Sequence, residues 1–353
     1  MPKKARTTLK SIAEQLGVST TAVSHVLNGN ARLYRISRQT EENVQALASK
    51  LSFAPNQLAR SLRLSRSQSI GLVVPDISNP FFASTARGVE DQARQRGFSV
   101  LLCDTQDNTD VEKQVLRLLE SRNVDGLVVL PVGQSCEHLL RYEDGRTPLV
   151  VVDRFFPTLK VASVTSDNYA GARDAVEHLI SRGHRVIGGL QGLPGTLPNE
   201  DRLRGYRDAL ARHRLKHDAA LIAGEDFGER SGYTHALRLL KARPDITAIL
   251  TLSSPICLGA FRAMAELKLK VPEDVSIVCF DDPPYAPFFA TALTTVAQQN
   301  EEMGRRAAKM LFERIERGGG AGLRAGGRKG EIVQLPTKLI ERQSVLDLAK
   351  IRS

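Results

Sequence analysis

The sequence predicts an all-α helix-turn-helix headpiece followed by a two-lobed α/β domain built on two doubly wound parallel sheets. Three observations predict it. The first 66 residues combine a concentrated positive charge with short helical patterns. The rest alternates short Val/Ile/Leu runs with amphipathic helices, the mark of parallel sheets covered on both faces. Those runs fall into two successive series, one for each lobe.

Charge comes first. Through Arg66 the chain holds eleven Lys and Arg against three acids, a net +8 out of +10 for all 353 residues; the other 287 carry only +2. A basic block fused to a near-neutral body selects a polyanion as partner of the block alone. A solvated basic tail is the plainer alternative, but the block has the apolar periodicity and turn signals that a tail lacks. The length implies two or three domains. Cys103, Cys136, Cys257 and Cys279 form no CxxC pair and have no His at metal-ligand spacing, so reduced buried thiols are expected and no metal or other cofactor. No apolar segment follows the basic start, and no run approaches the ~18 apolar residues of a membrane helix, which predicts a cytoplasmic location and no membrane partner.

In the block, Thr8 can cap a first helix whose apolar face is Ile12, Ala13 and Leu16. Gly17 stands where a chain leaving a helix needs positive φ, and Val18 plugs the turn. Ser19 can cap a second helix with Ala22, Val23 and Val26 inward. Its other face carries Thr20, Thr21, Ser24, His25 and Asn28. Short hydrogen-bonding side chains on the N-terminal half of a helix suit entry into the DNA major groove, where long ones would clash. The competing reading is an ordinary helical hairpin with its polar face in water. A long connection, Asn28–Ser37, leads to a third helix over Arg38–Lys50, capped by Ser37, with Val44, Leu47, Ala48 and Leu51 inward. After Pro55, Asn56 can cap a short helix Gln57–Arg63 that is too short to stand alone in water. It would form only when DNA and a second copy hold it. Leu62, an apolar residue between Arg60 and Arg63, makes sense as a wedge between base pairs of the minor groove.

The body reads SIGLVVPDI, SVLLCD, GLVVLP and PLVVVD as one series of strands, and VIGGLQG, AILTLS and SIVCFD as the second. Ligands of such sheets sit outside the carboxyl ends of the strands. Polar or acidic residues stand there: Asp76, Asp104, Asp153, Asp167, Ser253 and Asp281. About half are expected only to cap the helices that follow.

Taken together, TLKSIAEQLGVSTTAVSHVLNG, PNQLARSL, SIGLVVPDISNPFFA, VDGLVVLP, SDN with HLISRGHRVIG, RLRGY, VPEDVSIVCFDD and LTTVAQQ resemble the lactose-repressor family of bacterial transcription regulators over essentially the full length. The resemblance implies a headpiece over residues 1–54, a hinge helix and linker over 55–67, and an effector and dimerisation domain over 68–345, with a tail from 346. The N-lobe would take about 68–164 and 297–325, the C-lobe about 165–296 and 326–345. It implies that Thr20, Thr21 and His25 read bases, with Ser19, Ser24, Asn28 and Arg60 also at the DNA, and that Leu62 is the minor-groove lever with Arg63 beside it. It implies an effector site of Phe81, Phe82, Asp153, Arg154, Arg202, Phe227, Ser253 and Asp281. An acid and a guanidinium with aromatic faces suit a sugar. The partners would be double-stranded operator DNA, a sugar or sugar phosphate, and a second copy, since no leucine heptad extends the C-terminus.

Where many relatives place an acid after the strand ending LTLS, this chain has Ser253, Ser254 and Pro255. With the YRIS connection and the VAQ run this is similar to the fructose-repressor branch, and it suggests an effector with a phosphate or other anionic group. The Gly-rich segment Gly318–Gly330 contains no GxxxxGK[ST] and is expected to be a surface connection. An enzyme on an α/β fold is the rival from another class, but GxSxG, HExxH and a GxGxxG after the first strand are all missing. His178 and His184 flank Gly183 at a helix end, where a charge on the helix terminus is the expected role. A periplasmic sugar-binding protein shares the two-lobed plan, but not the basic arm. An activator, or a regulator corepressed by its ligand, would use the same parts.

Overall fold

A computed structural model describes residues 8–27, 29–51, 53, 66–318 and 330–351. The chain divides into two compact units, Met1–Ser67 and Gln68–Ser353.

In the first unit, α1 (Leu9–Leu16), α2 (Thr20–Leu27) and α3 (Arg38–Lys50) form a three-helix cluster. Thr8 and Ser11 cap α1 reciprocally: each side-chain oxygen accepts the other's backbone N–H. Gly17 takes φ +62° and its N–H returns to the carbonyls of Ala13 and Glu14, which ends α1. Ser19 accepts the Ala22 N–H and Ser37 the Thr40 N–H. Ile12, Ala13, Val23, Val26, Ala31, Val44 and Ala48 make the core. So small a core leaves little margin, and the caps supply part of what it lacks, each about 1 kcal/mol.

The second unit carries two six-stranded sheets. The first runs β11-β5-β4-β3-β1-β2 and comprises β1 (Ser69–Val74), β2 (Ser99–Asp104), β3 (Leu127–Val129), β4 (Leu149–Val152), β5 (Ala162–Ser166) and β11 (Ile332–Leu335). The second runs β12-β10-β9-β8-β6-β7 and comprises β6 (Ile187–Leu190), β7 (Ile222–Ala223), β8 (Ala248–Thr251), β9 (Ser276–Phe280), β10 (Thr294–Ala297) and β12 (Lys338–Ile340). Among the described residues only β12 pairs antiparallel, against β10. The helices are α4 (Pro80–Gln95), α5 (Thr109–Ser121), α6 (Asn168–Ser181), α7 (Leu197–Arg212), α8 (Glu229–Ala242), α9 (Ser254–Glu266), α10 (Asn300–Glu316) and the short α11 (Leu348–Ile351). Each sheet is packed with buried aliphatic side chains. Helices α4 and α10 approach so closely that a Cβ on Gly88 would lie 2.0 Å from the Glu301 carbonyl oxygen.

In the described residues the chain passes between lobes three times, after β5, after β10 and after β11, and the crossings are bonded to one another. The Asp167 N–H donates to Leu335, the Thr337 hydroxyl to Asp167, and the Gln299 amide to Pro336. The third crossing corrects the lobe boundary expected from sequence. Residues 326–345 do not all belong to the C-lobe, because β11 pairs in parallel with β5 in the first sheet and only from β12 does the chain join the second. A four-residue strand whose residues are mostly exposed or half-buried has too little apolar pattern to reveal its sheet.

His184 also departs from expectation. Its ring is 1% exposed and bonds the Thr247 hydroxyl and the Leu346 carbonyl. Burial pushes its pKa down to about 4, so it is neutral rather than a charge at a helix end. His178, buried beside Glu341, is pushed down by burial as well. Cys136, Cys257 and Cys279 are buried and Cys103 half-buried, all as free thiols. Of the Gly-rich segment, residues 319–329 lie outside the described residues. Among the described residues no helix is long and apolar enough to cross a membrane.

Candidate functional site

The first unit presents α2 with Ser19, Thr20 and Thr21 exposed at its N-terminal end and Ser24 and His25 half-buried one turn on. Ser19 is spent in part as a cap. The His25 imidazole stacks on Tyr34, ring centroids 3.5 Å apart and planes 20° from parallel. Asn28, Arg60, Leu62 and Arg63 lie outside the described residues, as does the whole segment expected to form the hinge helix.

The second unit contains a cleft of about 440 Å³ between its sheets, a size that suits a small-molecule ligand. All eight residues expected at an effector site line it. Phe81, Phe82, Asp153 and Arg154 come from the first lobe, and Arg202, Phe227, Ser253 and Asp281 from the second. The cleft lies at the carboxyl ends of the strands, where parallel α/β sheets place ligands.

The five acidic strand ends separate into two groups. Asp76, Asp104 and Asp167 accept backbone N–H groups of the turns that follow them, so their roles are local. Asp153 and Asp281 instead adopt φ +68° and +84°, in the left-handed region that costs a non-glycine residue energy. That conformation turns each carboxylate into the cleft.

Asp281 accepts from the Gln298 side-chain amide and from the Ser254 N–H, yet burial pushes its pKa up to about 6 against the attraction of Arg202. Asp153 is raised by burial too, opposed by Arg202 and Arg154, and its Oδ1 is buried with no hydrogen-bond partner. Arg202 is almost fully enclosed: its guanidinium donates to Asn168 Oδ1 at 2.8 Å and to the Leu252 carbonyl, and lies 3.8 Å from the Phe280 ring centre. Arg154 sits 5.2 Å from the Phe227 ring centre, and its Nη1, 3.8 Å from Asp107, makes no hydrogen bond. Gln298 Oε1 and Asn300 Oδ1, at the second crossing, are likewise buried without partners. Buried polar atoms are nearly always satisfied. Three of the four, on Asp153, Arg154 and Gln298, line the cleft and are open to hydrogen bonds that a ligand could supply.

Ser253 differs from expectation in its chemistry. Its hydroxyl donates to the Phe227 carbonyl and accepts the Ile256 N–H as the cap of α9, so it positions the Phe227 backbone as much as it faces a ligand. Sequence reasoning passed over Asp107, Tyr285 and Gln298, which also line the cleft. Gln298 stood in the quoted LTTVAQQ run, a polar residue directly after a strand. Asp107 sits in a polar turn with φ +51°, which no local pattern distinguishes from an ordinary loop acid.

Comparison with known proteins adds to this geometry. Residues 8–56 match the model for bacterial regulatory proteins of the lacI family, and residues 176–345 match a periplasmic binding protein-like domain. The ribose operon repressor of Halalkalibacterium halodurans is 32% identical over 338 residues, 96% of this chain and 97% of that protein. The HTH-type transcriptional repressor PurR of Proteus mirabilis is 33% identical over 343 residues, again 96% and 97%. Among solved structures, the lac repressor dimer bound to operator and the anti-inducer ONPF superposes with a TM-score of 0.81 at 26% identity, covering 96% of this chain and 99% of that one.

Proposed function

This chain belongs to the lacI family of bacterial regulatory proteins, and on that premise we propose that the cleft between its lobes takes a neutral, hydroxyl-rich effector of monosaccharide size. As a family member it is a sequence-specific DNA-binding transcriptional regulator and not an enzyme. Relatives named for the ribose operon and for PurR are about equally similar, so the cleft itself must decide the ligand class.

One observation carries the reading: among the described residues, Asp107, Asp153 and Asp281 line the cleft with only Arg154 and Arg202 as cations, and Asp76 and Glu229 add two more acids. Carboxylates accept hydroxyl protons, guanidiniums donate, and Phe227 offers a ring face to the apolar side of a sugar. A phosphate would meet net negative charge. Nor does the N-terminus of α9 offer an anchor to the anionic effector expected from Ser253. At the N-terminus of α9, the Ser254 N–H is already taken by Asp281 and the Ile256 N–H by Ser253. Those are the amides that would greet an anion.

The protein, in this reading, acts in the bacterial cytoplasm, on the nucleoid when bound to DNA. It works as a homodimer on a near-palindromic operator, because two-fold protein symmetry requires two-fold DNA symmetry. The effector draws on donors and acceptors of both lobes. It therefore stabilises one inter-lobe angle over others and shifts the population that binds DNA. Whether that releases or promotes DNA binding is read from the same titration that identifies the ligand.

Calorimetry of the full chain with D-ribose and other neutral monosaccharides, each beside its phosphate ester, tests the proposal, with operator anisotropy at fixed salt as second readout. Binding of a neutral sugar that changes operator affinity supports it. Binding of the phosphate ester alone would overturn it.

A further inference from the structure

We propose that Tyr34 is a specificity-determining positioning residue of the DNA-binding surface, holding the His25 imidazole edge-on for base contact. This rests on the reading of His25 as a base-reading residue.

The ten-residue connection between α2 and α3 is a built loop in its described part. Ala31 is 1% exposed and enters the headpiece core, and Ile36 packs against the same core from the other end. Backbone hydrogen bonds tie the loop to α2 and to itself: the Asn30 N–H donates to the His25 carbonyl, the Tyr34 N–H to Asn30, and the Ile36 N–H to Ala31. Arg35 accepts a φ of +52° to close the turn. Between the two anchors stand Arg32, Leu33, Tyr34 and Arg35, all exposed. A Leu that is 75% exposed and a Tyr that is 53% exposed, flanked by two cations, are not placed there by core packing.

The ring contact gives this loop a target. A half-buried His on a helix face otherwise turns freely about its outer torsion, and that freedom is lost when it meets a base. The Tyr34 ring, 3.5 Å from the imidazole and nearly parallel to it, covers one face and blocks that rotation. A ring stacked on the face does not cover the edge, and the edge carries Nδ1 and Nε2, the atoms that hydrogen-bond. Because the backbone carbonyl of His25 is bonded to the loop that bears Tyr34, helix and ring are held in one frame. Tyr34 therefore acts through His25, by making its base contact selective.

The test measures full-length protein on a set of operators in which each base pair of a half-site is varied in turn, by anisotropy at fixed salt. His25→Ala first locates the position whose preference it removes. Tyr34→Ala should reduce the preference at that same position by about 3- to 10-fold, the range expected of one aromatic pair, leaving the other positions as they are. Tyr34→Phe keeps the stack and should restore the preference. Non-specific DNA affinity should stay at the wild-type value in both variants, and both should remain folded, since Tyr34 lies outside the core. A uniform loss at every position with Tyr34→Ala, or no change at any, overturns the inference while leaving the reading of His25 intact. If His25→Ala moves no single position, the reading of His25 fails and the role of Tyr34 falls with it.

Discussion

Asp281→Asn should make the protein more stable and its effector weaker, and the first effect can be sized. The carboxyl of Asp281 is pushed up to about 6 by burial, about two units above a free Asp, and each unit is worth about 1.36 kcal/mol. Stability from the protonated form is fully present below about pH 4 and is lost as the pH rises through about 6. At pH 7 the ionised group therefore costs about 3 kcal/mol. An amide removes that cost if its hydrogen bonds can be remade, and the surroundings allow it. The Asn oxygen can keep the Ser254 N–H. Its NH₂ then faces Gln298, whose Oε1 is unpartnered and comes into reach when that amide turns over. Urea unfolding followed by far-UV circular dichroism, chosen because the chain has no Trp, should show a variant-minus-wild-type gap under about 0.5 kcal/mol at pH 4 that widens to about 3 kcal/mol at pH 7. Calorimetry should show the loss of effector affinity. A gap that stays flat across this range, or a variant less stable at pH 7, would refute the claim that the carboxylate is held at a cost.

Two more predictions concern pH-dependent stability and operator affinity. His184, held neutral with its pKa near 4, should act with the opposite sign. Its stability is full above about pH 6.5 and falls away toward pH 4, a loss of about 3 kcal/mol that His184→Gln should escape; identical pH profiles for the two proteins would speak against a buried neutral ring. Leu62→Ala should weaken operator binding with effector affinity unchanged, the mark of a minor-groove lever, and unaltered operator affinity would remove that role.

Much of the architecture was legible because its signals are local. The caps Thr8, Ser19 and Ser37, the αL glycine at position 17 and the buried Val/Ile/Leu runs each state their structure within a few residues. The gathering of Phe81, Phe82, Asp153, Arg154, Arg202, Phe227, Ser253 and Asp281 around one cleft came from resemblance. No periodicity links residue 81 to residue 281. What stayed illegible depends on long-range pairing. The strand β11 carries no pattern that assigns it to the first sheet, and His184 becomes neutral only because the fold buries it. The Tyr34–His25 stack was hidden for the same reason, since a loop's path is set by its anchors, here Ala31 and Ile36, and neither looks special in sequence.

The placement of the unsatisfied groups bears on how a ligand moves the lobes. Asp153 and Arg154 follow the last residues of β4 in the first lobe, and Asp281 follows β9 in the second. Gln298 links them, because it bonds Asp281 and sits at the second crossing, next to Gln299, whose amide ties that crossing to the third. A ligand satisfying Asp153, Arg154 and Gln298 together would fix both lobes and one of the segments that join them. Without it, two raised carboxyls and open donors and acceptors resist closure, because bringing them together without partners deepens their desolvation. In the proposed reading the cleft would therefore favour opening when empty and closing when filled with hydroxyls. That difference in free energy between the two states is what an effector must have in order to act on a distant DNA-binding surface.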